Sequence, residues 1–206
     1  MVAVTGSEPL MTEPLLLDQF IPQYDHAIVY SQVLRAPRQD CFEALVNMDI
    51  LQIPVIRLLI RARGLPQRVA DAVRRRGAEA REVSWPATFR VRDLGALGWI
   101  KLGERPGAEL VFGIVGKPWQ PVASGSGEPV AAGQFAGFDE PGFAKIAEST
   151  RVDPYGDRSS IVIVESRVAL TDADSRRRFR RYWLMMGPFM KLMRPVIMHA
   201  LERQLH

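Results

Sequence analysis

The sequence predicts an α+β domain in which an antiparallel β-sheet and a long C-terminal helix enclose an apolar pocket. The central part of the chain is rich in β-branched residues and is punctuated by glycine, a pattern typical of short strands. From Asp172 onward the apolar residues recur at three- and four-residue spacing, as in an amphipathic helix. With 206 residues, 47% of them apolar, the chain can bury one sizeable core.

The first part of the chain predicts a strand followed by helices. Residues 1–24 lack the basic and apolar segments of a secretory signal, and we interpret them as a loose N-terminal extension of a domain over 25–206. Residues 25–36 are rich in Ile, Val and Tyr and predict the first strand. Pro37 suits the first position of a short helix that follows over 38–46.

Capping residues and the spacing of glycines predict the helices and strands in the middle of the chain. Asp49 can cap a second short helix with Pro54 near its beginning, and 67–82 predicts a solvated helix. The segments after it predict an antiparallel meander and then a hairpin. The predicted strands are 87–94, 97–104, 108–116 and about 132–139, with a loop over 117–130, and the hairpin arms are 143–153 and 159–171 with a turn at 154–157.

The long C-terminal helix is predicted to be kinked. Asp172 or Asp174 can cap it. Gly187-Pro188 lies inside the apolar pattern, and a proline there removes a hydrogen bond, so we expect a kink or a break. Pro195 predicts a second interruption.

Composition and motifs argue against several function classes. The net charge is only +4, whereas nucleic-acid-binding proteins usually concentrate charge on one face, so no nucleic-acid partner is expected. Cys41 is the only cysteine and the three histidines are scattered, so neither a metal site nor a cofactor is expected. There is no nucleophile elbow and no phosphate-binding glycine loop. The absence of a long apolar run and of paired cysteines favours a cytoplasmic protein.

Several short strings occur in an order that resembles one superfamily. GIVGKPW (113–119) precedes the loop, PGFAK (141–145) and ESRV (165–168) lie in the hairpin arms, and SRRRF with YW opens the last helix at 175–183. Together they resemble the START-like, or SRPBCC, superfamily over residues 25–204, and within it a bacterial branch of unassigned function.

That resemblance implies a helix-grip fold, in which a curved antiparallel sheet grips the C-terminal helix and a cavity lies between them. Superfamily members bind lipids, sterols, polyketides or plant hormones, and some catalyse cyclisation or dehydration in the cavity. The kinked last helix predicted here differs from the usual straight one. Because function does not follow from fold, the resemblance assigns no activity by itself.

The C-terminal helix is rich in methionine, which has two interpretations. Methionines there can simply fill the core, or they can form a deformable wall facing an apolar ligand. The candidate ligand-binding residues on the second interpretation are Tyr182, Met186 and Met190 on the helix, with Trp99, Phe112 and Ile114 opposite them on the sheet.

Glu165 and Arg167 interrupt an otherwise apolar strand. They are two residues apart, so they point to the same face. On a solvent-exposed face they would form an ordinary ion pair, whereas in the cavity they would be a buried pair that is costly to desolvate. The sharper hypothesis is that both residues, with Tyr182, anchor the polar end of a ligand.

The leading functional hypothesis is a protein that binds or carries a hydrophobic small molecule, either a lipid or a polyketide-like compound. One alternative is a cyclase- or dehydratase-like enzyme in the same cavity, with Glu165 or Tyr182 as the first acid–base candidates. Another is a protein-interaction module whose cavity is collapsed. The arginine clusters at 74–76 and 176–181 have two interpretations, either solvated helix faces or peripheral contact with an anionic membrane surface.

Overall fold

The structure is a computed structural model that describes residues 14–58, 88–120 and 130–205. The helix predicted at 67–82 lies outside these ranges, as does most of the loop predicted at 117–130. The described residues confirm the α+β class and form one five-stranded antiparallel sheet in the order β1-β5-β4-β3-β2. The strands are His26–Leu34 (β1), Ile100–Arg105 (β2), Glu109–Gly116 (β3), Ala144–Pro154 (β4) and Ser160–Leu170 (β5).

The predicted hairpin is present as β4 and β5. Its turn contains Gly156 at a φ of 70°, in the left-handed region that favours glycine. The predicted helix at 38–46 is also present, as α2 over Arg38–Asn47. Asp49 caps a 3₁₀ turn rather than an α-helix, accepting a hydrogen bond from the backbone N–H of Leu51 at 3.0 Å. An α-helical segment then begins at Pro54, as the sequence predicts.

Two segments that the sequence predicts as strands are helical instead. Within 87–94 the described residues enter a 3₁₀ helix, Val91–Leu97, which ends at Gly98 with a φ of 85°. Within 132–139 the chain forms a short α-helix, Ala132–Phe135 (α3), which buries the Phe135 side chain completely. Both predictions were wrong because apolar and polar residues alternating over only a few positions do not distinguish a strand from a helical turn.

The two faces of the sheet are covered by different parts of the chain. Even-numbered residues of β1, β3, β4 and β5 share an inner face, on which α2 and the C-terminal helix, Ala173–Gln204, pack. Odd-numbered residues share an outer face, which packs against α1 (Leu17–Phe20) and α3. The register aligns Phe112, Glu148, Ser166 and Ile28 across the inner face, and Val111, Ser149, Glu165 and Val29 across the outer face.

The C-terminal helix runs unbroken for 32 residues across both internal prolines. Asp172 caps it by accepting a hydrogen bond from Ser175 N–H at 2.7 Å. Pro188 is exposed, and so is Leu184 one turn before it, so the carbonyl that loses its partner lies on the solvent side. A break at Gly187-Pro188 is therefore excluded. Among the described helices, none is both long and apolar enough to cross a membrane.

The described part of the N-terminal segment, 14–24, packs against the outer face of the sheet. Leu17 and Ile21 are 0% and 1% exposed in a cluster with Phe135. Glu109 of β3 accepts hydrogen bonds from the backbone N–H of Leu16 at 3.1 and 3.2 Å. Over these residues the chain is ordered against the sheet, in contrast to the loose extension that the sequence predicts.

Candidate functional site

A polar cluster lies in the middle of the inner face, between two apolar clusters. One apolar cluster packs Phe179 of the C-terminal helix against Val168 and Leu170. The other packs Met198 and Leu201 of the same helix against β5 and α2. The three residues between these clusters are Glu148 on β4, Ser166 on β5 and Arg194 on the helix, and we call them the inner polar cluster.

Contacts within the inner polar cluster join the sheet to the helix. Arg194 donates from one guanidinium nitrogen to the Val164 carbonyl at 2.6 Å. From the other it donates to the Ser166 hydroxyl at 2.5 Å and to the Glu148 carboxylate at 3.3 Å. The Ser166 hydroxyl donates in turn to Glu148. Antiparallel pairing places Glu148 directly opposite both Ser166 and Phe112, so the sheet register itself positions the carboxyl group.

Glu148 is deep in the protein and yet retains accessible surface. Burial raises the pKa of its carboxyl above the ordinary value, although the Arg194 charge and the Ser166 hydrogen bond oppose this shift. Its side chain is nevertheless 26% exposed, against 6% for Arg194. Glu148 therefore combines a raised carboxyl pKa with a partly accessible side chain.

Two apolar neighbours of Glu148 on the inner face also keep accessible surface. Ile114 and Ile146 are cross-strand partners on central strands, and both are only half-buried. The C-terminal helix lies against β1 and β5, whereas α2 lies against β4. The two helices therefore cover different parts of the inner face, and Ile146 packs against the apolar cluster that contains Phe179.

A cleft of about 190 Å³ opens on the same face, between α2 and the β2–β3 hairpin. Phe112 contributes to its wall and is also the cross-strand neighbour of Glu148, so the cleft lies one strand away from the inner polar cluster. Charged Arg92, Lys101 and Glu104 also line it. This volume alone is smaller than the roughly 300–1,000 Å³ of ordinary small-molecule sites.

Two buried N–H groups on this face have no hydrogen-bond partner among the described residues. They are the Nε of Arg194 and the indole Nε1 of Trp119. Trp119 packs against the apolar cluster that contains Phe179 and Val168. Buried donors are almost always paired in native proteins, because an unpaired one costs about 1–3 kcal/mol. Both groups are therefore positioned to donate to an acceptor that the described residues do not supply.

Aromatic side chains enclose the end of the inner face beside the start of the C-terminal helix. The His26 ring lies 4.9 Å from that of Phe179 and 5.7 Å from that of Trp183. Tyr182 lies 5.6 Å from Phe179 and is half-buried. Burial of the imidazole lowers the pKa of His26, and the neighbouring Arg180 charge adds to this effect against the opposing Asp25.

Six of the eight residues that the sequence analysis selects lie on the side of the sheet that faces the two helices. Met186 is 3% exposed and Met190 is half-buried on the helix. On the sheet side, Phe112 is 4% exposed and packs with Trp99 in one cluster, while Ile114 is half-buried. Tyr182 belongs to the aromatic end.

Glu165 and Arg167 lie on the outer face, and so the structure does not bring them together with Tyr182. They are buried beneath the N-terminal segment, at 8% and 6% exposure, and form a salt bridge at 2.6 Å. Arg167 also donates to Asp18 at 2.6 Å and to the Ile21 carbonyl at 3.0 Å. This arrangement is neither of the two environments considered from the sequence, because the pair is buried but faces away from the C-terminal helix.

The sequence analysis missed Glu148 and Arg194, although each carries a recognisable signal. Glu148 alternates with Ile146 and Val152 on one side of a strand, where the pattern calls for an apolar residue. Arg194 is four residues from both Met190 and Met198, so it occupies the apolar stripe of the helix. A charged residue on each of two buried surfaces indicates that the two side chains pair.

Other chemistry-bearing groups give no competing site. Cys41 is buried, donates to the Ala36 carbonyl and has its thiol pKa raised by burial, which makes the thiol unreactive. Across the described ranges, no three His, Cys, Asp or Glu side chains are grouped so that they could hold a metal ion.

Comparison of the chain with protein-family models, with curated protein sequences and with solved structures finds no match.

Proposed function

We propose that this protein has a helix-grip fold and binds a hydrophobic small molecule between the inner face of its sheet and the C-terminal helix. The observation that carries the proposal is the inner polar cluster, in which Glu148 keeps a 26% exposed side chain beside half-buried apolar side chains. Ligand sites typically combine apolar walls with a few placed polar groups. Ile114, Ile146 and Met190 supply such walls, and Glu148 with Arg194 supplies the polar groups.

The unpaired donors indicate the chemistry of the ligand's polar end. Arg194 Nε and Trp119 Nε1 can only donate, so they require an acceptor such as a carbonyl or ester oxygen. The Arg194 charge already faces Glu148, so an uncharged acceptor adds no unbalanced charge to the interior. A lipid ester or a polyketide-like ketone has this chemistry.

The first test is native mass spectrometry of freshly purified protein, followed by organic extraction of any bound compound. We expect an adduct of small-molecule mass that is released on denaturation and carries at least one carbonyl or ester group. An apo mass that stays unchanged after incubation with hydrophobic carbonyl compounds would contradict the proposal and favour a collapsed interior.

The Arg194→Lys variant tests the polar end separately. It keeps a positive charge beside Glu148 but removes the Nε–H donor. We expect a medium-chain methyl ketone to displace a bound naphthalene dye about tenfold better than the alkane of equal length. That advantage should disappear in Arg194→Lys, whereas Arg177→Lys on the exposed helix surface should retain it. An equal advantage in both variants would remove Arg194 from the site.

The second candidate is a cyclase- or dehydratase-like enzyme, and the raised pKa of Glu148 favours it. A carboxyl whose pKa is raised by burial is a stronger candidate to exchange a proton with a carbonyl oxygen of a bound ligand. Glu148→Gln keeps the shape of the side chain and removes the transferable proton. If that variant bound the extracted compound normally and also left its conversion unchanged, the catalytic candidate would be eliminated.

A further inference from the structure

The outward face of the C-terminal helix exposes a run of apolar side chains. Leu184, Met185 and Leu192 are 77%, 64% and 53% exposed, and Pro188 between them is also exposed. The spacing of these residues places them on one side of the helix, over about 12 Å of its length at 1.5 Å per residue. They are directed away from the sheet, because Met186 and Arg194 of the same helix are buried against it.

The same outward face is basic over the preceding turns. Arg177, Arg178 and Arg181 are exposed and lie one to two turns before Leu184. Among the described residues, Arg178 is the one of these three that has an acidic partner, Asp174 at 2.7 Å. Within the part of the chain that the structure describes, neither Arg177 nor Arg181 takes part in an ion pair.

We propose that this face docks on an anionic lipid membrane. Apolar side chains at the boundary between headgroups and acyl chains, beside arginines that contact anionic headgroups, are the two interactions that hold an interfacial helix. A second copy of the chain fits less well, since Asp174 already has a partner and the face would present its arginines without matching carboxylates. The membrane supplies both the apolar phase and the negative charge.

The test is cosedimentation with vesicles of phosphatidylcholine alone and of phosphatidylcholine with phosphatidylglycerol in equal parts. We expect binding to the anionic vesicles that weakens as salt is added, with little binding to the neutral vesicles. Leu184→Gln with Leu192→Gln should weaken binding at least tenfold, because it removes two of the apolar side chains that would enter the boundary between headgroups and acyl chains. Arg177→Gln and Arg181→Gln should each weaken it about fivefold, the equivalent of about 1 kcal/mol per arginine.

The control variant is Val29→Thr with Val33→Thr, which changes two exposed apolar side chains on the outer face of β1. It should bind anionic vesicles as the unchanged protein does. Equal binding to both vesicle types, or full binding by the leucine variant, would overturn the proposal. So would an oligomer in analytical ultracentrifugation that the leucine variant alone abolishes, because the face would then contact a second copy.

Discussion

The two faces of the sheet both carry buried charge, but the hydrogen-bonding capacity of the buried arginine is more fully used on the outer face. There, Arg167 is held by Glu165, Asp18 and the Ile21 carbonyl, and Leu17 is completely buried. On the inner face, Arg194 Nε has no partner among the described residues, and the Glu148 side chain is 26% exposed. The difference indicates that the outer pair fastens the N-terminal segment to the sheet, while the inner pair has hydrogen-bonding capacity left for a ligand.

Gly113 on β3 makes close packing possible over this part of the outer face. A Cβ atom added at Gly113 would lie 2.6 Å from Leu102 and 2.7–2.8 Å from the ring of Phe135. The Phe135 ring therefore lies directly on the backbone of β3. On the inner face of the same strand, the neighbouring Ile114 keeps accessible surface. One strand thus separates a tightly packed layer from an incompletely packed one.

Truncating one isoleucine on each face should show this difference most strongly. Ile21→Ala removes a side chain that is 1% exposed, so we expect the free energy of unfolding to fall by about 2–5 kcal/mol. Ile114→Ala removes the same atoms from a half-buried position and should cost only about 1 kcal/mol. Urea denaturation followed by circular dichroism measures both. Equal losses would contradict the distinction between the two faces.

Overpacking the outer face should have a smaller effect. Gly113→Ala introduces a methyl group against Phe135 and Leu102, and we expect the free energy of unfolding to fall by about 1–3 kcal/mol. The control is Gly137→Ala, where nothing lies within 4 Å of the added atom. That variant should unfold at the same urea concentration as the unchanged protein, or slightly above it. A tolerated Gly113→Ala would mean that the Phe135 ring can move away.

The sequence predicted the hairpin and the start of the long helix better than the short connecting segments. The hairpin of β4 and β5 and the cap at Asp172 follow from period and turn chemistry, which act over neighbouring residues. The 3₁₀ helix at Val91–Leu97 and the helix α3 escaped prediction because their form depends on what they pack against. Phe135, for example, is buried only because Gly113 leaves space on a strand twenty-two residues earlier.

Part of the candidate site could be predicted, since apolar spacing indicates which helix side faces the sheet. Met186 and Phe112 lie on that side as expected. The sequence could not predict which face of β5 lies toward the C-terminal helix, because both faces of that strand are similarly apolar. Glu165 therefore stood out in the sequence as much as a ligand-facing residue would, although the N-terminal segment covers it. Assigning Glu165 to the outer face required the position of the N-terminal segment, whose own sequence shows no clear hydrophobic period.

The smallest expected effect is a pH dependence of the free energy of unfolding that arises from Glu148 on the inner face. The raised pKa means that the folded protein holds this proton more tightly than the unfolded chain does, whose ordinary value is 4.5. Between these two values the folded state binds more protons, so the free energy of unfolding should fall as pH rises through the window. Glu148→Gln removes this component. Urea unfolding of both proteins across the window should therefore show their difference changing with pH.

Ser166→Ala sharpens the same measurement. The Ser166 hydroxyl stabilises the charged form of Glu148 by donating to it, so its removal should raise the carboxyl pKa further. The pH-dependent loss of stability should then extend to higher pH than in the unchanged protein, in the direction opposite to Glu148→Gln. A bound ligand whose acceptor engages Arg194 would weaken the attraction of that guanidinium for Glu148 and shift the window in the same direction as Ser166→Ala. If ligand left the window unmoved, the acceptor would not be contacting Arg194, and the unpaired Nε would need another explanation.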